Sequence, residues 1–284
     1  MIPDFLTLWQ PYAALLGGLI GLTVGSFLNV VIHRMPLILE RQWHEDAANL
    51  DSDPSLPLPR FNLSTPSSHC PQCQHRLSWW ENLPLLSYLI LKGRCSACHA
   101  PIGWRYPAIE LLTALAVAAC FHRWGLSLQA CVWSGLVCTL IALAMIDWDT
   151  TLLPDPLTQP LIWAGLIVAA VDATALSLTH ALWGAVLGYL SLWSIYWIFK
   201  LITGKEGMGY GDFKLFAALG AWFGWTALIP LILLASLAGI AVGLVLQSRQ
   251  QLREHHLIPF GPFLAMAAGV YMVWADFFNQ LGWA

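Results

Sequence analysis

Eight apolar segments constrain this chain more than any other feature. They fall near residues 11–33, 107–122, 128–147, 157–175, 179–202, 211–224, 226–247 and 259–281. A helix needs about 20 mostly apolar residues to cross a bilayer, and every backbone polar group within the hydrocarbon must be satisfied inside the protein. The pattern therefore predicts an all-α membrane protein of about eight transmembrane helices. The sixth run is counted as a crossing, although its brevity also suits a helix half inserted or buried among its neighbours. Only 10% of the 284 residues are charged, against roughly 25% in an ordinary soluble domain. A formal net charge of -3 gives no electrostatic reason to expect a nucleic-acid partner.

The 13 Lys and Arg residues orient the segments. Arg34, Arg41, Arg60, Arg76, Lys92, Arg94 and Arg105 lie between helices one and two, Lys200, Lys205 and Lys214 around the fifth connection, and Arg249 and Arg253 before the last helix. With eight crossings these share one face, and the positive-inside rule makes it cytoplasmic. Arg123 alone falls on the other side. The stretch Met1 to Gln10 carries Asp4 and no basic residue, which predicts that the first helix is retained and is not part of a cleaved signal. Three regions follow: a first transmembrane helix over 1–34, a polar cytoplasmic domain over 35–104 with four of the seven cysteines, and a membrane domain over 105–284.

Within the first helix Gly17, Gly21 and Gly25 recur every four residues, a spacing that lets another helix approach closely. Asn29 and His33 share a face near its cytoplasmic end and suit interhelical hydrogen bonding. Residues 40–53 hold Glu40, Glu45, Asp46, Asp51 and Asp53 against Arg41, which reads as a solvated loop whose charge could also steer a basic peptide.

Cys70-Pro-Gln-Cys73 and Cys95-Ser-Ala-Cys98 form two C-x2-C pairs close to the spacing in which four thiolates hold a tetrahedral zinc. Disulfides are the competing reading, but a reducing cytoplasm disfavours them. Four cysteines leave no open coordination position, so the predicted zinc is structural. His69, His75 and His99 lie beside the box as spectators, and Cys120, Cys131 and Cys138 sit on apolar helices as small hydrophobes.

Two acids sit at the ends of apolar runs: Asp147 closes the third, and Asp212 opens the sixth after Gly207-Met-Gly-Tyr-Gly211. Two neighbouring carboxyls share a proton, so one can deprotonate water while the other donates to a carbonyl oxygen. The glycines allow a tight loop that a peptide can approach. Lys214 is rotated about 200° from Asp212 on the helix and is not expected to pair with it. Asp149 and Asp155 rival Asp147, because all three occur within one short polar stretch.

Five motifs are recognisable together. Gly25-Ser-Phe-Leu-Asn-Val-Val-Ile-His-Arg34, the cysteine pairs around Trp79-Trp-Glu-Asn-Leu-Pro-Leu-Leu-Ser-Tyr88, Arg105-Tyr-Pro-Ala-Ile-Glu-Leu111, Leu152-Leu-Pro-Asp155 and Gly207-Met-Gly-Tyr-Gly-Asp-Phe-Lys214 occur in order. In these the whole chain resembles the type IV prepilin leader peptidase and N-methyltransferase family. The resemblance implies an aspartic endopeptidase of the bacterial inner membrane with its active site at the cytoplasmic face. Its substrates would be prepilins and pseudopilins of type IV pili or type II secretion, whose basic leaders it removes before methylating the new N-terminus from S-adenosylmethionine. The catalytic pair carries over to Asp147 and Asp212, and the zinc ligands to Cys70, Cys73, Cys95 and Cys98. No G-x-G-x-x-G opens a helix after a strand, so the methyl-donor site is left open, and Glu110 and Glu206 are read as ion-pair or interfacial residues. The alternatives are a peptidase without methyl transfer, a transporter with intramembrane acids, a zinc-binding scaffold, and a protease cutting within membrane segments.

Overall fold

The computed structural model describes residues 9–50, 61–248 and 258–274, without the side chains of 48–50. Asp4, Asp51, Asp53, Arg60, Arg249, Arg253 and the end of the eighth run lie outside the described residues. Among the described residues the secondary structure is helical apart from two isolated bridges, His69 with Arg76 and Arg94 with Pro101.

Nine α-helices are described: α1 (Ala13–Leu50), α2 (Leu86–Ile90), α3 (Arg105–Trp124), α4 (Leu128–Thr150), α5 (Asp155–Ala170), α6 (Leu178–Thr203), α7 (Tyr210–Phe223), α8 (Leu228–Ser248) and α9 (Gly261–Val273). All but α2 coincide with an apolar segment. By length and composition, four helical stretches can cross a membrane: Gln10–Ala47, Leu128–Thr150, Leu178–Thr203 and Trp225–Ser248. Exposed apolar side chains support an apolar surrounding, as on α8, where Ile229, Leu233, Leu237, Ile240 and Leu244 follow one helical face.

The chain divides into two compact units, Met1–Cys138 and Thr139–Ala284. In the first, α1 and α3 pack along the glycine stripe. A Cβ at Gly17 would lie 2.7 Å from Phe121 Cβ, at Gly21 2.7 Å from Ala114 Cα, and at Gly25 2.8 Å from Glu110 Cα. The partner positions descend as the glycines ascend, so the helices run antiparallel at near backbone contact. Asn29 Nδ2 donates to the Tyr106 carbonyl at 3.1 Å, supplying the expected interhelical tie, while His33 is exposed. α1 also runs on past the predicted end at 33, through Pro36, whose missing N–H costs one backbone bond. Local helix propensity in the polar stretch after it carries the helix further than hydropathy alone suggests.

The second unit is organised around α7. Ten of its 14 residues are buried, including Phe213, Phe216 and Leu219, so this short helix is enclosed by protein and not by lipid. Glycines make the enclosure possible. A Cβ at Gly184 on α6 would overlap the Gly220 carbonyl, and one at Gly188 would lie 2.8 Å from the Phe216 oxygen. On the α5 side a Cβ at Gly165 would lie 2.8 Å from the Trp222 ring, and Trp222 Nε1 donates to the Leu161 carbonyl at 2.8 Å. At about 1.5 Å per residue, 14 residues rise about 21 Å, short of a full hydrocarbon core.

Candidate active site and metal centre

α4 continues one turn past Asp147, to Thr150, so Asp147 lies within the last turn and does not end the helix. The chain then leaves through Thr151, at φ 53°, and buried Leu153 before Pro154 caps α5. Asp212 sits in the first turn of α7. Both side chains are buried, Asp147 at 4% and Asp212 at 6% exposure, and each feels the other electrostatically. A buried, unpaired carboxyl is costly and persists where function or a specific contact retains it.

The three rival acids separate by environment. Asp149 is exposed, and Asp155 is exposed at the start of α5, where it accepts two hydrogen bonds from Lys214 Nζ at 2.6 and 2.7 Å. Lys214 thus turns away from Asp212, as its helical position requires, and ties α7 to α5. Of the three, Asp147 alone is buried with Asp212.

The glycine-rich run packs closely against the chain around it. Gly207, Gly209 and Gly211 have no left-handed backbone, so conformational freedom is not what they supply. Their lack of a side chain matters: a Cβ at Gly211 would lie 2.6 Å from Leu153 Cβ, and one at Gly209 3.5 Å from Asp212 Oδ2. Leu153 also faces Gly261, where a Cβ would lie 3.2 Å from its Cδ2. This side chain therefore fills the space between the α7 entry and the α9 start. Beside it, the Gly261 N–H donates to Asp147 Oδ2 at 2.9 Å. Gly261 went unnoticed in the sequence, although Pro259-Phe-Gly-Pro262 carries the signals of a helix start.

The four cysteines form a separate centre in the first unit. Their sulfurs lie within 4.8 Å of one another, with Cys70 to Cys98 at 3.8 Å and Cys73 to Cys95 at 3.9 Å. A tetrahedron with metal–sulfur bonds of about 2.3 Å has edges of about 3.8 Å, which these two sulfur pairs match, so the cluster could hold a metal ion. Each pair makes the same turn. Cys70 N–H donates to His75 O and Gln74 N–H to Cys70 O; Cys95 N–H donates to Ala100 O and His99 N–H to Cys95 O. Gln74 and His99 both take positive φ, near 60° and 57°.

Glu81 joins the two turns and was missed in the sequence. It accepts from the Ser96 hydroxyl of one turn, lies 3.4 Å from His75 Nε2 of the other, and accepts the Ser78 N–H at 2.6 Å. The Ser96 hydroxyl, then the Ser78 N–H, hold its carboxyl below the usual carboxylate range. A depressed folded value means that the ionised form stabilises above the unfolded value of about 4.3 and loses that effect as pH falls through the folded value. The stability difference between wild type and Glu81→Gln, read by proteolysis of residues 61–104, is therefore expected to be full at neutral pH and to vanish in acid. A difference that stays constant down to about pH 3, below the ordinary carboxylate range, would show that the charge is immaterial.

Glu206 forms the expected ion pair, with Lys200 Nζ at 2.8 Å. Glu110 instead accepts hydrogen bonds, from Leu85 N–H at 2.8 Å and from Ser26. Cys120 is fully buried, Cys138 half-buried and Cys131 exposed.

Comparison with known proteins assigns the chain. Residues 19–124 match the bacterial peptidase A24 N-terminal domain, and residues 134–244 match the type IV leader peptidase family. A prepilin leader peptidase/N-methyltransferase of Stutzerimonas stutzeri is 50% identical over 269 residues, covering 94% of this chain and 93% of the relative. The chain belongs to the prepilin leader peptidase/N-methyltransferase family. Relatives of the same description in Pseudomonas aeruginosa, at 50% identity over 259 residues, and Aeromonas hydrophila, at 51% over 269, each cover 91% of this chain and 89% of their own length. No solved structure matches the chain. The cysteine cluster and glycine stripe fall largely in the first matched segment and the two buried aspartates in the second, while Gly261 lies beyond both.

Proposed function

We propose that this protein removes the short basic leader of type IV prepilins and pseudopilins at the cytoplasmic face of the bacterial inner membrane, and then methylates the new N-terminal amine from S-adenosylmethionine. The observation that carries the reading is the buried Asp147–Asp212 pair in a member of this family. Water attacks the scissile carbonyl carbon as one carboxylate takes its proton, and the protonated partner donates to the carbonyl oxygen. On collapse the C–N bond breaks and the departing nitrogen takes a proton from the pair. Family membership favours this over a transporter, for which the same acids would line an ion path.

Eight crossings, with twelve of the 13 basic residues on the cytoplasmic face, remain the topology that the charge distribution supports. On that reading residues 35–104 are a cytoplasmic domain whose Cys70, Cys73, Cys95 and Cys98 hold a structural zinc. The sulfur spacing fits that ion, which would supply folding free energy and no reaction step. Methyl transfer follows cleavage because the free amine exists only after the leader leaves. An α-amino group ordinarily titrates at about 7.7 to 8.0, which leaves a useful neutral fraction near neutral pH, so positioning is the main demand.

Incubating the purified protein with a leader-bearing prepilin and S-adenosylmethionine tests the reading. The expected product has lost the leader mass and gained one methyl group at its new N-terminus. An intact prepilin would overturn the peptidase reading, and a cut but unmethylated product would leave a peptidase alone.

A further inference from the structure

We propose that the start of α9 assigns the two carboxyls their roles: the Gly261 N–H holds Asp147 as the ionised base, and Asp212 carries the shared proton. The proposal rests on the peptidase reading and adds a positioning residue and a direction of proton flow to it.

Hydrogen bonding around the pair is asymmetric. Gly261 is the first residue of α9, so its N–H has no partner inside the helix. The next residue, Pro262, has no N–H, and the amides of Phe263 and Leu264 are both donated to the Phe260 carbonyl. The Gly261 amide is therefore the free donor of this turn, and it points at Asp147 Oδ2 at 2.9 Å in buried surroundings. An amide donor favours a carboxylate anion, and the positive end of the α9 dipole acts in the same sense. Asp212 differs. It too takes a backbone hydrogen bond, from Gly209, but its Oδ1 is buried with no hydrogen-bond partner among the described residues. An anion with an orphaned buried oxygen is costlier than a neutral acid, so the proton belongs on Asp212.

The neighbouring charges do not reverse this. The titratable group facing Asp147 from α7 is Asp212 itself, while Lys214 on that helix is held by Asp155 at the start of α5. The first turn of α9 has no acidic residue, and Asp149 on α4 is exposed. In the reaction the water proton passes to Asp147 as the O–C bond forms, and the Asp212 proton passes to the carbonyl oxygen. On breakage of the C–N bond the nitrogen takes the proton from Asp147, and the hydroxyl proton of the collapsing intermediate returns to Asp212. Both acids regain their starting states.

Glycine is required at 261 by the same geometry, since a Cβ would lie 2.6 Å from Asp147 Oδ2 and 3.2 Å from its Cγ. Gly261→Ala is expected to push the carboxylate off the amide, lowering kcat about 10- to 100-fold with little change in KM. The acid limb of the cleavage pH profile should move to higher pH. Gly269→Ala, on the same helix with nothing within 4 Å of its Cβ, should behave as wild type. An epoxide probe, which a carboxylate anion opens to an ester, separates role from structure. Peptide mapping of the labelled wild type should find the ester on Asp147, and Gly261→Ala should lower that labelling.

Label on Asp212 in the wild type would overturn the assignment, as would a Gly261→Ala variant with unaltered kcat and pH profile. If Gly261→Ala fails to insert, the wild-type label decides alone. A wild type that takes label on Asp147 without cutting prepilin would overturn the peptidase reading and leave the ionisation assignment standing.

Discussion

Asp147→Asn and Asp212→Asn are each expected to abolish leader cleavage while membrane insertion and metal content stay as in wild type. An amide can neither accept the proton of the attacking water nor donate with the acidity of a carboxyl, and loss of a general acid or base costs about 10²- to 10⁴-fold. Because the two groups act as one unit, the double variant should be no worse than either single one. Asp149→Asn, at an exposed position, should keep most of the activity, so the three neighbouring replacements sort the acids. The readout is the mass of a purified prepilin after incubation. If Asp149→Asn is inactive and Asp147→Asn active, the pair is wrongly assigned. The same variants separate the two reactions. Given a pilin with its N-terminus already free, Asp212→Asn should still transfer a methyl group, because positioning of an amine makes no use of the acid pair. Loss of methylation in a folded Asp212→Asn protein would mean that one site serves both.

Elemental analysis of the purified protein is expected to find one zinc per chain, and Cys73→Ser to lose it. Metal binding to such four-thiolate sites is folding free energy, with apparent values of about 10 to 16 kcal/mol in zinc-finger peptides at pH 7. Among the described residues the cysteine region has two isolated bridges and short helices in place of a large apolar core, so little else compensates for the ion. Residues 61–104 should therefore become protease-sensitive in Cys73→Ser and on chelation. Normal resistance without zinc would show that hydrogen bonds such as those to Glu81 suffice, and an absence of zinc in the wild type would remove the structural role.

Much of the architecture is legible in the residues themselves because the governing patterns are local. Apolar runs mark where a helix can be buried, and the stripe at Gly17, Gly21 and Gly25 announces a close neighbour, since a missing Cβ allows near backbone contact wherever the partner lies. The cysteine pairs are legible for a similar reason: coordination chemistry restricts the spacing of ligands along a chain. What a pattern cannot carry is the identity of the partner. That α3 fills the glycine stripe, that α7 is enclosed by α5 and α6, and that Asp155 takes Lys214 and so leaves Asp147 as the buried acid, all depend on contacts between distant residues.

The functions of the glycines divide along the same line. The run from Gly207 to Gly211 predicts a tight loop open to close approach, and the tertiary structure shows that Leu153 is what Gly211 admits beside the α7 entry. Gly261 carries no sequence mark beyond a helix start, because its role depends on Asp147, 114 positions earlier in the chain. Residue types and spacing alone pointed to an all-helical chain with membrane-length apolar runs, a four-cysteine cluster and acids in the terminal turns of helices. Tertiary packing decided which acid is buried with Asp212 and which amide faces it, because hydrogen bonding and desolvation act on what is near in space, whatever its distance along the chain.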